Sequence, residues 1–170
     1  EVVSESIAIA ASLLPEPPRV VVDPGAGIGA YSFACLDRWP GTTLIAVDVN
    51  VVTLGLMATT WLVRKGSNSD LTLRRQSFLD LDVASCMIDA KPGLVIGNRP
   101  YTRHQELDRK TTEWAIERSG GLVRSSLAGL SAYFLASSLK QLRSSDALVL
   151  LMPANWLGSN YGKELRDHLW

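Results

Sequence analysis

Three consecutive valines, Val20-Val21-Val22, run straight into Asp23-Pro24-Gly25-Ala26-Gly27-Ile28-Gly29. No other junction in the chain constrains the fold as much. Arg19–Val22 is short, β-branched and bounded by Pro18 and Asp23-Pro24-Gly25, as a strand buried on both faces should be. The alternate glycines after it let the backbone turn tightly and let a ligand approach with no Cβ in the way. A helix is expected next at about Ala30–Arg38, broken by Pro40-Gly41, and then a second buried strand, Thr43–Val47, ending at Asp48. Strand, turn, helix and strand make one unit of a parallel sheet.

The same alternation continues. Residues 4–14 carry helical apolar spacing and end at Pro15, Pro17 and Pro18, which cannot continue a helix. Residues 51–65 read as a helix stopped by Gly66-Ser67-Asn68. Leu71–Gln76, Leu94–Ile96 and Ala147–Met152 read as further strands. Helical stretches at about 106–118 and 126–143, separated by Gly120-Gly121, lie between the last two strands. The expected fold class is α/β: a doubly wound, mainly parallel, Rossmann-like sheet with helices on both faces. Ligands of such sheets bind just past the carboxyl ends of the strands, at the topological switch point.

Composition narrows the choices. The 170 residues, 18.5 kDa, have room for one domain, so residues 1–170 are expected to form a single unit. With 46% apolar and 20% charged residues, the chain is neither disordered nor a charged coiled coil. Seventeen basic residues cancel seventeen acidic ones, so no whole-domain positive field gathers nucleic acid; such a partner requires a local patch or a second domain. Cys35 and Cys86 make neither a disulfide framework nor a zinc site and suit a reducing, cytoplasmic setting. The apolar runs around Val20–Val22 and Leu148–Met152 are far too short to span a bilayer, and no signal-peptide pattern opens the sequence. No membrane partner is expected. The chain starts on Glu1 and stops on Leu169-Trp170 in mid-pattern, as a piece of a longer protein would.

Chemistry gathers after the strands. The glycines are spaced Gly-x-Gly-x-Gly, unlike the Gly-x-Gly-x-x-Gly of dinucleotide binders, and the Asp23 carboxylate disfavours a phosphate and favours a cation. A tight turn without a ligand would use the same glycines. Asp48 suits the two hydroxyls of a ribose; alternatively, Asp48 or Asn50 opens the 51–65 helix as its cap. Asp80, beside Phe78, can accept from an adenine amino group, with Asp82 as a rival. Gly97-Asn98-Arg99-Pro100-Tyr101 brings an amide, backbone carbonyls and an aromatic ring to one strand end. That set can hold a planar, amino-bearing group, accepting its hydrogens and stacking on its face; an ordinary β-turn is the plain alternative. His104 and His168 have no ligand constellation around them, so no metal is expected.

In that order on successive strands, Asp23-Pro24-Gly25-Ala26-Gly27-Ile28-Gly29, Asp48, Asp80 and Asn98-Arg99-Pro100-Tyr101 resemble a class I S-adenosylmethionine-dependent methyltransferase of the Asn-Pro-Pro-Tyr type. Tyr101-Thr102-Arg103-His104-Gln105 and Met152-Pro153-Ala154-Asn155-Trp156-Leu157, followed by Tyr161-Gly162 and Leu165-Arg166, are similar to adenine-specific DNA methyltransferases of restriction–modification systems. The resemblance implies S-adenosylmethionine as cofactor and a flipped-out adenine in double-stranded DNA as substrate, held through a recognition region not in this chain. It implies that Asp23, Gly25 and Gly27 shape the methionine side of the pocket, with Pro24, Ala26 and Gly29 also at the cofactor. Asp48 would hold the ribose, Val49 and Phe78 flank the adenine, and Asp80 meet its amino group. Asn98, Arg99, Pro100 and Tyr101 would be the catalytic motif, with Asn98 also at the cofactor. Arg99, Arg103, His104, Arg109 and Lys110 are the candidates for DNA contact; a solvated helix start is their plain alternative. Ser4–Ala8 resembles the end of the helix before the first motif, and the sheet of this class has two more strands than the five expected here.

Position 99 is Arg where the family usually has Pro. The chemistry uses the backbone carbonyl of residue 99, which Arg retains, and Pro100 biases residue 99 toward an extended conformation. Three other readings compete: a methyltransferase acting on a protein glutamine amide, a catalytically impaired cofactor-binding or scaffold domain, and a nicotinamide-dependent oxidoreductase, which the glycine spacing disfavours.

Overall fold

The computed structural model describes residues 1–64, 70–98, 109–125 and 128–169, apart from the side chains of Asn155 and Tyr161. Two compact units are distinguished, one comprising residues 1–98 and 142–151 and the other residues 99–141 and 152–170.

The first unit is a five-stranded parallel sheet. Its strands are β1 (Val20–Pro24), β2 (Thr43–Asp48), β3 (Leu71–Arg75), β4 (Gly93–Asn98) and β5 (Ala147–Leu151), in the spatial order β3-β2-β1-β4-β5. β1 is buried along its whole length. It pairs with β2 on one side, Val21 opposite Leu44, and with β4 on the other, Val21 opposite Leu94. The chain winds outward from β1 to β3, then crosses back to β4 and β5. The switch point therefore lies between β1 and β4.

Both faces are covered by helical segments. On one face α1 (Val2–Leu13), α2 (Ala30–Arg38) and α3 (Val51–Val63) bring Ile7, Ala10, Phe33, Leu36 and Met57 against Val21, Leu44, Ala46, Leu94 and Ile96. On the other, Leu81, Val83 and Met87 pack on Val20, Val22, Ile45, Val47 and Val95. Alternation along each strand sends its side chains into these two cores in turn. Asp146, just before β5, ties the unit together: its side chain is fully buried and accepts from Gly93 N–H at 2.8 Å and Arg143 Nε at 2.8 Å.

Every expected strand forms, with boundary differences. β4 begins one residue before the expected Leu94–Ile96 and ends two after it, because pairing with β5 continues to Asn98 opposite Leu151. α1 starts at Val2, before the expected residue 4, and α3 ends at Val63. The proposed stop at Gly66-Ser67-Asn68 lies outside the described residues. The segment between β3 and β4 contains a 3-10 turn, Phe78–Asp80, and a one-turn helix α4, Val83–Cys86, neither expected from periodicity. Side-chain caps rather than apolar spacing make them: Ser77 Oγ accepts from Leu79 N–H, and Asp82 Oδ1 accepts from Ser85 N–H.

The second unit contains α5 (Arg109–Arg118), α6 (Leu130–Gln141), α7 (Asn155–Gly158), a 3-10 turn at Asn160–Gly162 and α8 (Lys163–Leu169). α5 and α6 fall inside the expected 106–118 and 126–143; residues 106–108 and 126–127 lie outside the described set, and residues 128–129 are not helical. α7 and α8 were not expected. Arg166 holds their junction, donating from Nη1 to the carbonyls of Trp156 at 2.7 Å and Ser159 at 2.9 Å, while Leu165 is fully buried.

Candidate functional site

The turn after β1 is tied to the end of β2 by its backbone. Gly25 and Ala26 N–H both donate to the Val47 carbonyl, at 2.7 and 2.9 Å. Gly27 N–H then donates to Asp48 Oδ2 at 2.8 Å, while the other Asp48 oxygen accepts from Asn50 N–H at 2.8 Å. The helix cap is Asn50 and not Asp48, since Asn50 Oδ1 accepts from Val52 N–H at 2.9 Å. Asp48 is half-buried between two loops. Its carboxylate keeps further lone pairs beyond these two bonds, enough to receive hydroxyls.

Gly29 closes the loop with φ +92°, and a Cβ there would lie 2.7 Å from the Phe33 ring. Only glycine serves both the left-handed conformation and that contact. Asp23 sits beneath the loop, 1% exposed, with Oδ2 accepting from Ser32 N–H at 3.1 Å and Ser32 Oγ at 2.6 Å. Burial, and then the nearby Asp23 charge, push the Cys35 thiol well above its ordinary pKa, so this cysteine is an inert core residue.

At the switch point lies a cavity of about 320 Å³ whose wall includes Asp23, Gly25, Ala26, Tyr31 and Asn98. Val2 and Val3 of α1 and Leu151 of β5 supply apolar lining, and among the described residues no lysine or arginine lines it. Asp23 from β1 and Asn98 from β4, two of the sequence candidates, thus share one cavity. Next to it along the sheet stand Asp48 and the exposed Val49 at the end of β2. Beyond β3, Phe78 is buried and Asp80 exposed on the 3-10 turn. Asp82, the rival of Asp80, caps α4 instead. The donor set suits a cationic ligand with hydroxyls and an apolar body. It does not suit a pyrophosphate, which calls for cations or free N–H groups where carboxylates stand.

Arg99, Pro100, Tyr101, Arg103 and His104 lie outside the described residues. Arg109 and Lys110 are exposed at the start of α5, where Arg109 pairs with Glu113 at 2.7 Å. Among the described residues, no helix is long and apolar enough to cross a membrane. Sequence reasoning overlooked Ser32, which shows no local signal; it quoted Gly97 with the Asn98 motif but gave it no part, although a glycine inside a strand does signal a close backbone approach.

The chain matches the family described as Eco57I restriction-modification methylase over residues 64–170. It is 28% identical over 151 residues to the type II methyltransferase M.XamI of Xanthomonas campestris pv. amaranthicola. That match covers 88% of this chain and 28% of the relative, so the chain spans little more than a quarter of that protein's length. Among solved structures it is similar to the methyltransferase subunit of a type I restriction-modification system from Streptococcus thermophilus. There the identity is 20% and the TM-score 0.63, covering 98% of this chain and 36% of that one. TrmN from Thermus thermophilus gives 19% identity and a TM-score of 0.55, covering 89% and 38%. These two likenesses show a shared Rossmann-like methyltransferase fold.

Proposed function

This chain belongs to the Eco57I restriction-modification methylase family, and we propose that it is the catalytic part of an adenine-specific DNA methyltransferase using S-adenosylmethionine. The observation that carries this reading is the cavity at the β1–β4 switch point, whose wall holds both Asp23 and Asn98. When bound, S-adenosylmethionine supplies a methyl group on a cationic sulfur whose departure leaves a neutral thioether. The chain's own task is then to bind, orient and polarise.

Asp48 accepts the ribose hydroxyls while clasping the glycine loop. Val49 and Phe78 flank the adenine of the cofactor, and Asp80 accepts from its amino group. Asp23 supplies fixed negative charge by the cationic end. Asn98, at the end of β4, accepts one hydrogen of the substrate amino group through its amide oxygen, and the carbonyl of residue 99 accepts the other. Both contacts strengthen as positive charge builds on that nitrogen, so they favour the transition state over the ground state. Tyr101 stacks on the target base once it has swung out of the duplex. Arg99, Arg103, His104, Arg109 and Lys110 are the chain's candidates for contact with the DNA backbone.

The test offers double-stranded DNA and a protein with an accessible glutamine side by side to the intact protein, with labelled S-adenosylmethionine. Label is expected in adenine of DNA and is lost in Asn98→Ala; label in the protein's glutamine instead would replace this reading with the amide-methylating one. The cofactor is also expected to raise the melting temperature. At a hundredfold excess over Kd that stabilisation is about 2.7 kcal/mol, and Asp48→Ala removes most of it.

A further inference from the structure

α2 begins without a side-chain cap. Its N-cap is Gly29, which has no side chain to receive the N–H groups of the first turn. Asp23 takes that part from across the loop, nine residues away, through its two hydrogen bonds from Ser32. Ser32 is completely buried, so its hydroxyl serves nothing in solvent. The second carboxylate oxygen lies against β4: a Cβ on Gly97 would come 2.8 Å from Asp23 Oδ1, closer than side-chain carbons approach. The residue that follows Gly97 is Asn98. One oxygen of the carboxylate is therefore held by Ser32 of α2, and the other occupies space that a side chain at Gly97 of β4 would invade.

The strand order gives this lock a chemical direction. Asp80 follows β3, Asp48 ends β2, and Asp23 and Asn98 stand at β1 and β4. With the ribose at Asp48, a donor lying along the strand ends has its adenine toward β3 and its amino-acid end in the β1–β4 cavity. We propose that Ser32 and Gly97 are positioning residues for that amino-acid end: together they hold the Asp23 carboxylate in the cavity wall beside the donor's cationic groups. The proposal rests on the reading of the chain as an S-adenosylmethionine-dependent enzyme. Neither residue touches the donor. Both act through Asp23.

The experiment measures binding by calorimetry with two probes, S-adenosylmethionine and 5′-methylthioadenosine, which keeps the adenosine and a thioether but lacks the ammonium and the carboxylate. Ser32→Ala is expected to weaken S-adenosylmethionine roughly tenfold, as the loss of a charge-assisted contact would, and to leave methylthioadenosine within about twofold. Gly97→Ala is expected to repeat this selective loss, and the double variant to be no weaker than the worse single one, since both act on one carboxylate. Methylthioadenosine binding also reports that each variant is folded. Equal loss for both probes would mean a merely structural role and overturn the proposal, as would unchanged S-adenosylmethionine binding in both variants. A wild-type chain that binds neither probe overturns the donor reading itself, and this proposal with it.

Discussion

Asp146 shows how much one buried carboxylate can organise. Its oxygens accept from Gly93 N–H, Arg143 N–H and two guanidinium nitrogens of Arg143, all within 2.8–2.9 Å. Burial alone would raise its pKa, but the Arg143 guanidinium and the two backbone N–H groups outweigh it and hold the carboxyl below its ordinary range. A carboxyl depressed in the folded state stabilises the fold above its unfolded pKa, about 4. That contribution fades as pH falls through the lower, folded value. Asp146→Asn is thus expected to lose about 2 kcal/mol at pH 7, read from urea unfolding. The gap should begin to narrow below about pH 4; a gap constant across that range would mean that shape and not charge is at stake. The same residue was invisible as a determinant in the sequence, because its partner Gly93 lies 53 positions away.

At the scale of elements, two glycines of similar appearance in the sequence have opposite parts. Gly29 starts α2 at φ +92°, with the Phe33 ring 2.7 Å and Met57 Cγ 3.2 Å from where a Cβ would sit. Gly55 lies exposed inside α3 with nothing within 4 Å of the same position. Gly29→Ala is expected to cost about 1–2 kcal/mol from backbone strain alone, with steric conflict added. Gly55→Ala is expected to gain about 0.5–1 kcal/mol by removing helix-interior glycine, a rise of some 2–4 °C per kcal/mol in a chain of this size. Melting both variants without cofactor checks the pair, and a destabilised Gly55→Ala would mean that something packs on α3. Local signals served well where an element's ends are marked: Val20–Val22 before the glycine loop and Ala30–Arg38 after it needed no tertiary information. They missed α4 and the 3-10 turn, which rest on the caps of Asp82 and Ser77, too short for periodicity to register. The strand-end carboxylates were legible as a set because their order follows the strands. The choice between Asp48 and Asn50 as helix cap was not, since either side chain could reach the free N–H groups.

For the whole molecule, charge neutrality is local as well as global. The seventeen basic residues match seventeen acidic ones, and several described cations already sit on acids: Arg64 on Asp37, Arg109 on Glu113, Arg124 on Glu164 and Lys163 on Asp167. Each such pair is exposed and adds little stability, but each also cancels a charge that would otherwise attract phosphate. Among the described residues these pairs leave fewer cations to build a positive face of the kind from which non-specific DNA affinity arises. Every phosphate neutralised adds about 0.9 to the slope of log affinity against log salt. This chain alone is therefore expected to bind duplex DNA weakly, with a slope no steeper than about −3. Replacing Lys110 by Ala should make it shallower by about 1. Anisotropy titrations from 50 to 200 mM salt, chosen to span roughly the physiological range, measure both. A slope approaching −6 would reveal a concentrated basic face and contradict the local pairing. A shallow slope, together with methyl transfer by the intact protein, would divide the labour: donor binding and transfer in this chain, and most of the grip on DNA outside it.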